Sequence, residues 1–201
     1  MTFVRTRSHV LGITNAHVAD SLVSCTDYVS SGCQVGGARF DPARLIARHQ
    51  DMDLATFRLS DVFLAAVGPG HDAATLSVWP PKAPSVGDPV MYGGFPATYR
   101  EDRDGEVDFM FATFATKVYT VSDRHIGMMM EIERTESFSS SRIPPNTNLC
   151  GWSGGPVFQL VDSNGVERLE LSAIIYEYSE SWEIAFAHPL NSLNEDGDFN
   201  Y

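Results

Sequence analysis

This chain carries few features that would tie it to nucleic acid, a lipid bilayer or a metal ion. Basic residues are scarce, with 14 Lys and Arg against 26 Asp and Glu, and a formal net charge of −12 would repel a phosphate backbone. Nucleic acid is therefore not an expected partner. The acidity would attract a basic peptide or protein, and it also serves solubility. No apolar run is long enough to cross a membrane as a helix, and Arg5, Arg7 and His9 interrupt the apolar core that a signal peptide would need. The expected location is the cytoplasm, with no membrane partner. Cysteine is limited to Cys25, Cys33 and Cys150, an odd number that reads as buried or partly buried free thiols in a reducing compartment, with a local Cys25–Cys33 bridge as the alternative. No C-x-x-C or His-x-x-x-His spacing is present, so a metal ion is not expected. Internal repeats, low-complexity segments and long amphipathic helices are absent as well.

A chain of 201 residues, 43% hydrophobic and 20% charged, is long enough for one good core or two small ones that share an interface. Short apolar runs bounded by polar and glycine turns read as strands: Thr2–Arg5, Val10–Ile13, a meander between Asp20 and Asp51, Val86–Tyr92, Phe109–Val121, Ile126–Ile132, Leu171–Tyr176 and Glu183–Ala187. Gly68-Pro69-Gly70 and Trp79-Pro80-Pro81 break the pattern in the middle and suit a crossing between two units. Residues 137–145 read as a loop. Asn191–Tyr201 is polar and acidic and has no evident core role.

The stretch with chemical content is Cys150-Gly151-Trp152-Ser153-Gly154-Gly155-Pro156-Val157-Phe158, a glycine-rich turn that displays one serine and runs into an apolar strand. A serine hydroxyl is a poor nucleophile near neutral pH unless a base takes its proton and a carboxylate orients that base. His17, in Gly12-Ile13-Thr14-Asn15-Ala16-His17-Val18, is the candidate base. Asp53, in Asp51-Met52-Asp53-Leu54-Ala55, is the candidate carboxylate, with Asp51 as its rival. Taken singly, each has a plain structural reading: a core histidine, a solvated loop carboxylate, a hairpin turn.

Together, Thr14-Asn15-Ala16-His17-Val18, Asp53-Leu54-Ala55 and Gly151-Trp152-Ser153-Gly154-Gly155-Pro156, in the order His, Asp, Ser, resemble the three signature segments of chymotrypsin/trypsin-like serine peptidases. Asn15, with Ser85-Val86-Gly87-Asp88-Pro89-Val90 and Gly93-Gly94-Phe95-Pro96, is most similar to the bacterial HtrA-like branch, and Ala185-Phe186-Ala187-His188-Pro189 is similar to the family's last strand. The Leu-Ala that follows Asp53 matches the family wording and favours Asp53 over Asp51. The resemblance implies an all-β fold of two six-stranded antiparallel β-barrels, residues 1–75 carrying His17 and Asp53 and residues 76–201 carrying Ser153. The family's first barrel begins one strand earlier than Thr2, so the first barrel is read as short of that strand, with the chain cut at Met1 or its open edge covered by something else.

The same resemblance implies a serine endopeptidase without cofactors that acts on protein or peptide substrates. His17 would be the base, Asp53 its orienting carboxylate and Ser153 the nucleophile, with the Gly151 and Ser153 amides as the oxyanion hole. Thr147, Asn148, Tyr176, Glu177, Tyr178 and Ile184 fall where the family lines its specificity pocket. Thr147 carries no charge, and Tyr178 and Ile184 stand where glycines usually give depth, so a shallow pocket for small or medium apolar side chains is expected. Glu177 leaves a basic preference as a lesser alternative. Trp152 replaces a small, acidic or amide residue and either packs under the turn or crowds the leaving-group side. Control by a regulatory partner protein or domain, and a silent binding or scaffold module of the same fold, are the further readings that the departures raise.

Overall fold

The computed structural model describes residues 1–24, 34–35, 38–68, 72–76, 78–103, 106–130, 150–163 and 165–200. Cys25, Cys33, Thr147, Asn148 and the expected loop at 137–145 lie outside the described residues.

In the N-terminal half, β1 (Thr2–Arg5) and β2 (Val10–Thr14) form a hairpin whose turn is tied by Thr6, the Oγ1 of which accepts the His9 N–H at 3.0 Å. After β2 comes helix α1 (Ala16–Ser24), then a small hairpin of β3 (Gln34–Val35) and β4 (Ala38–Arg39). β5 (Leu45–His49) and β6 (Leu54–Leu59) complete the meander. Helix α2 (Asp61–Val67) begins at Ser60, whose Oγ accepts the Phe63 N–H at 3.1 Å, and a two-residue strand β7 (Ala74–Thr75) lies parallel to β1. The sheet order is β5-β6-β2-β1-β7. Among the described residues it is an open five-stranded sheet, in keeping with a first unit short of a strand. β2 is buried from end to end because it lies between β1 and β6, which explains why Val10-Leu11-Gly12-Ile13 is apolar without alternation.

The C-terminal half closes completely. β8 (Pro89–Gly94) is followed by an excursion containing the hairpin β9 (Arg100–Arg103) and β10 (Glu106–Phe109). The remaining strands are β11 (Ala112–Val121), β12 (Ile126–Met129), β13 (Pro156–Ser163), β14 (Val166–Ser179) and β15 (Ile184–Pro189). They form a six-stranded antiparallel barrel in the order β11-β12-β15-β14-β13-β8. Its interior holds Tyr92, Phe114, Met128, Trp152, Val157 and Ile175. One irregularity matters for the site. The β14–β15 register slips between Ile175 and Glu177, so Tyr176 is the extra residue of a β-bulge, a feature that re-aims a side chain.

The two halves share an apolar cluster. Val4, Leu11, Ile13 and Leu54 of the sheet pack with Leu171, Ile174 and Leu190 of the barrel half, and the cluster is completed by Leu193 and Phe199. The expectation that residues 191–201 lack a core role is thereby corrected. Asn194 Oδ1 accepts the N–H groups of Asp196 and Asp198, both at 3.0 Å, folding residues 193–199 into a tight loop. Thr56 Oγ1 then donates to the Gly197 carbonyl at 2.6 Å. Gly197 has φ +94°, a left-handed conformation that residues with a Cβ rarely adopt, so glycine suits this close approach of the loop.

Leu193 is completely buried in this shared cluster. Leu193→Ala is expected to cost about 2–5 kcal/mol of unfolding free energy, read as a lower urea midpoint with an unchanged slope.

Candidate active site

His17 is the second residue of α1 and lies three residues after the end of β2. Asp53 ends the turn between β5 and β6, its N–H donating to the Gln50 carbonyl at 3.0 Å, and it adopts φ +44°. For a residue with a Cβ this left-handed conformation costs about 1 kcal/mol, although Asp tolerates it better than most. The result is that the carboxylate turns back on α1. Asp53 Oδ2 accepts from His17 Nδ1 at 2.7 Å, and Oδ1 accepts the backbone N–H of His17 at 2.9 Å. One side chain therefore fixes the imidazole tautomer, places the carboxylate at the positive end of α1 and supplies that helix with its capping acceptor. Asp51, the rival, is exposed in the same turn and Asp53 alone reaches His17.

Ser153 arrives from the barrel. The turn that bears it is anchored by Trp152, whose side chain is 2% exposed among Tyr92 and Phe114, with ring centroids 5.6 and 5.2 Å away. Of the two readings for Trp152, inward packing is the one observed. On the other side of the serine, Thr2 Oγ1 donates to the Gly154 carbonyl at 2.9 Å, and a Cβ on Gly154 would lie 2.5 Å from Thr14 Oγ1. The turn is thus seated against the end of β2, three residues before His17. Ser153 Oγ donates to the Tyr176 carbonyl at 3.4 Å, and no hydrogen bond joins it to His17 among the described residues. The β14 bulge makes that carbonyl available.

Gly151 has φ +97°, and a Cβ there would sit 2.5 Å from the Phe95 carbonyl oxygen. The Cys150 carbonyl accepts the Ala97 N–H at 2.7 Å, which ties the front of the turn to the segment after β8. The N–H groups of Gly151 and Ser153 donate to no described residue. Cys150, expected buried or partly buried, is exposed because it starts this turn.

Among the expected pocket positions, Glu177 is exposed, whereas Tyr176, Tyr178 and Ile184 are half-buried; Tyr178 packs against the barrel core. His188 is a residue whose place sequence reasoning missed, having left it structural. It lies on β15 with its ring stacked on Tyr176, centroids 4.0 Å apart and planes 18° from parallel, and the Arg124 carbonyl accepts from its Nδ1 at 2.6 Å. Burial pushes its pKa down, opposed by that hydrogen bond and by Asp53, and His125 and His49 push it down further. Burial also raises the Tyr176 pKa, helped by Glu177 and Asp53. Both rings thus feel the Asp53 carboxylate. The only sequence sign was a histidine inside an apolar strand, Ala185-Phe186-Ala187-His188-Pro189. Among the described residues no cluster of His, Cys, Asp and Glu could hold a metal ion.

Two outcomes follow from this geometry. Gly151→Ala is expected to keep the barrel folded but to reduce reactivity at Ser153 by about 100-fold or more, because the clash with Phe95 turns an amide donor away; rates of acylation by an active ester check this. For His188, the folded pKa lies below its ordinary value of about 6.5, so protons favour the unfolded chain and stability falls as pH drops below that value until the folded pKa is passed. His188→Asn is expected to lose less stability than the parent between about pH 7.5 and pH 5, measured by urea midpoints.

No curated protein matches the chain. Among solved structures it is similar to a Glu endopeptidase in complex with MPD, at 9% identity and a TM-score of 0.43, covering 94% of this chain and 84% of that one. It is also similar to the thermostable serine protease AL20 from an extremophilic microorganism, at 15% identity and a TM-score of 0.38, covering 94% and 88%. The family model for a trypsin-like peptidase domain matches residues 2–165, which span α1, the Asp53 turn and the Ser153 turn. The chain belongs to the trypsin-like peptidase family.

Proposed function

We propose that His17, Asp53 and Ser153 act as a catalytic triad that hydrolyses peptide bonds of protein substrates through an acyl-enzyme. The observation that carries this reading is the doubly bonded Asp53 carboxylate, which holds both Nδ1 and the backbone N–H of His17 while the Ser153 turn is seated against β2. His17 Nε2 takes the Ser153 hydroxyl proton as Oγ attacks the scissile carbonyl, and returns it to the leaving amine. Asp53 stabilises the imidazolium without taking the proton. The Gly151 and Ser153 amides receive the oxyanion. Water then repeats the cycle on the ester, with His17 again as base, and releases the acid and free Ser153.

The substrate class is a peptide whose side chain before the scissile bond is small or medium and apolar. Half-buried Tyr178 and Ile184 support a shallow recess in place of a deep slot. The wording around Asn15 and Gly93-Gly94-Phe95-Pro96 supports placement in the bacterial HtrA-like branch, with activity controlled by a partner protein, a neighbouring domain or loop ordering.

A second reading, a silent binding module on the same fold, draws on one observation: Ser153 Oγ donates to Tyr176 rather than to His17. A fluorescent phosphonofluoridate separates the two. Labelling of the parent that vanishes in Ser153→Ala and His17→Ala is expected for the peptidase, and Asp53→Asn should cut turnover by about 10,000-fold by presenting the wrong hydrogen-bond partner to Nδ1. A folded parent that never labels, with or without candidate partners, would remove the catalytic reading.

A further inference from the structure

We infer that Asn15 is a positioning residue of this site, locking the backbone of Asp53 so that its carboxylate faces His17. The inference deepens the proposed triad and rests on it for its catalytic meaning, but its geometry stands alone. Asn15 immediately precedes α1, and its carbonyl accepts the Ala19 N–H at 3.0 Å, the first bond of that helix. It is therefore the N-cap, where an asparagine side chain ordinarily accepts an N–H from the first turn.

It does not do so here. Its Nδ2 donates to the Asp53 carbonyl at 3.0 Å, and its Oδ1 has no partner although Asn15 is completely buried. The capping role it vacates is taken by Asp53 Oδ1, which accepts the His17 N–H. The two residues are thus bonded crosswise, the amide of Asn15 to the main chain of Asp53 and the carboxylate of Asp53 to the main chain of His17. A carbonyl only accepts, so the atom of Asn15 facing Asp53 is the NH₂ group. The plane of the peptide after Asp53 is held by this one side-chain donor, while Asp53 stays in the left-handed region. An unpartnered buried oxygen is a cost that a helix cap alone would not require.

The discriminating variant is Asn15→Ser. Serine is as good an N-cap as asparagine, so it keeps α1, but its short hydroxyl serves the helix and releases the Asp53 carbonyl. The first readout is the low-field proton signal of His17 Nδ1–H in histidine-labelled protein, identified by its loss in His17→Gln. The second is the kcat and KM split on a peptide ester. In Asn15→Ser, melting close to that of the parent is expected, with the low-field signal lost and kcat about 10- to 100-fold lower at unchanged KM. Asn15→Ala should give the same signature, and Ser60→Ala, which removes the cap of α2, should keep the signal whatever its stability.

Retention of the signal and of kcat within about twofold in Asn15→Ser overturns the inference, as does a parent without the signal or equal loss in Ser60→Ala. The two readings fail separately. A parent that shows the signal but never acylates, with Asn15→Ser removing the signal, upholds the role of Asn15 and sinks peptide hydrolysis. A parent that acylates at the same rate as Asn15→Ser, with the signal intact in both, does the reverse.

Discussion

The meeting of Ser153 with His17 and Asp53 depends on the apolar contact between the two halves. His17 and Asp53 come from an open sheet and Ser153 from a closed barrel, so neither half holds the constellation alone. The contact between them is made by Val4, Leu11, Ile13 and Leu54 packing against Leu171, Ile174 and Leu190, with Leu193 and Phe199 closing the cluster. These side chains are buried on both sides of the join, and burying a Leu or Ile contributes about 1.5–3 kcal/mol each, well above what the few polar contacts across it supply. The polar contacts have a different task. Thr2 to the Gly154 carbonyl and Thr56 to the Gly197 carbonyl are directional, and they fix where along the apolar surface the halves come to rest. Hydrophobic burial makes the contact; the threonines set its register.

The Ser153 turn shows the same division between energy and geometry. Trp152 anchors it in the barrel at the cost of a buried indole N–H without a partner, while glycines on either side allow the backbone to pass where a Cβ would collide. Gly155 would place a Cβ on the Gly93 carbonyl, and Gly94 makes room for the Trp152 backbone. A wide ring next to the serine is therefore compatible with a shaped site, because the ring points into the core and Gly94 of β8 leaves room for it.

Much of this was legible in the sequence. The order His17, Asp53, Ser153, with glycines about the serine and Leu54-Ala55 after the aspartate, carried both the fold and the candidate site, since the chemistry demands those residue types and their local frames recur. The barrel strands were readable from their apolar runs. What could not be read were contacts made at long range. Asn191–Tyr201 looks like a solvated tail because its two anchors, Leu193 and Phe199, are spaced by polar residues that bond to one another and to Thr56. The bulge at Tyr176 has no glycine to mark it, and the stacking of His188 on that ring depends on it. Helix α1 was missed because Asn15-Ala16-His17-Val18 follows an apolar strand without a break, and the side-chain acceptor that caps the helix comes from Asp53, far along the chain.

The resting position of Ser153 follows from the same bulge, and its energetics bear on whether the site is silent. At 3.4 Å the hydrogen bond to the Tyr176 carbonyl is at the outer limit for an O–H donor, where the usual mode is near 2.7–2.8 Å. A neutral hydrogen bond contributes about 0.5–1.5 kcal/mol net even at good geometry, and this one contributes less. Turning the serine side chain towards His17 therefore gives up little. The Asp53–His17 contact, at 2.7 Å to a carboxylate and reinforced at 2.9 Å by the backbone, is by contrast short and charge-assisted, and it needs no rearrangement before proton transfer. The Asp53–His17 half of the proposed triad is in place, and Ser153 is held away from it only by the weakest of these bonds, so the position of the serine gives only slight support to the silent-module reading.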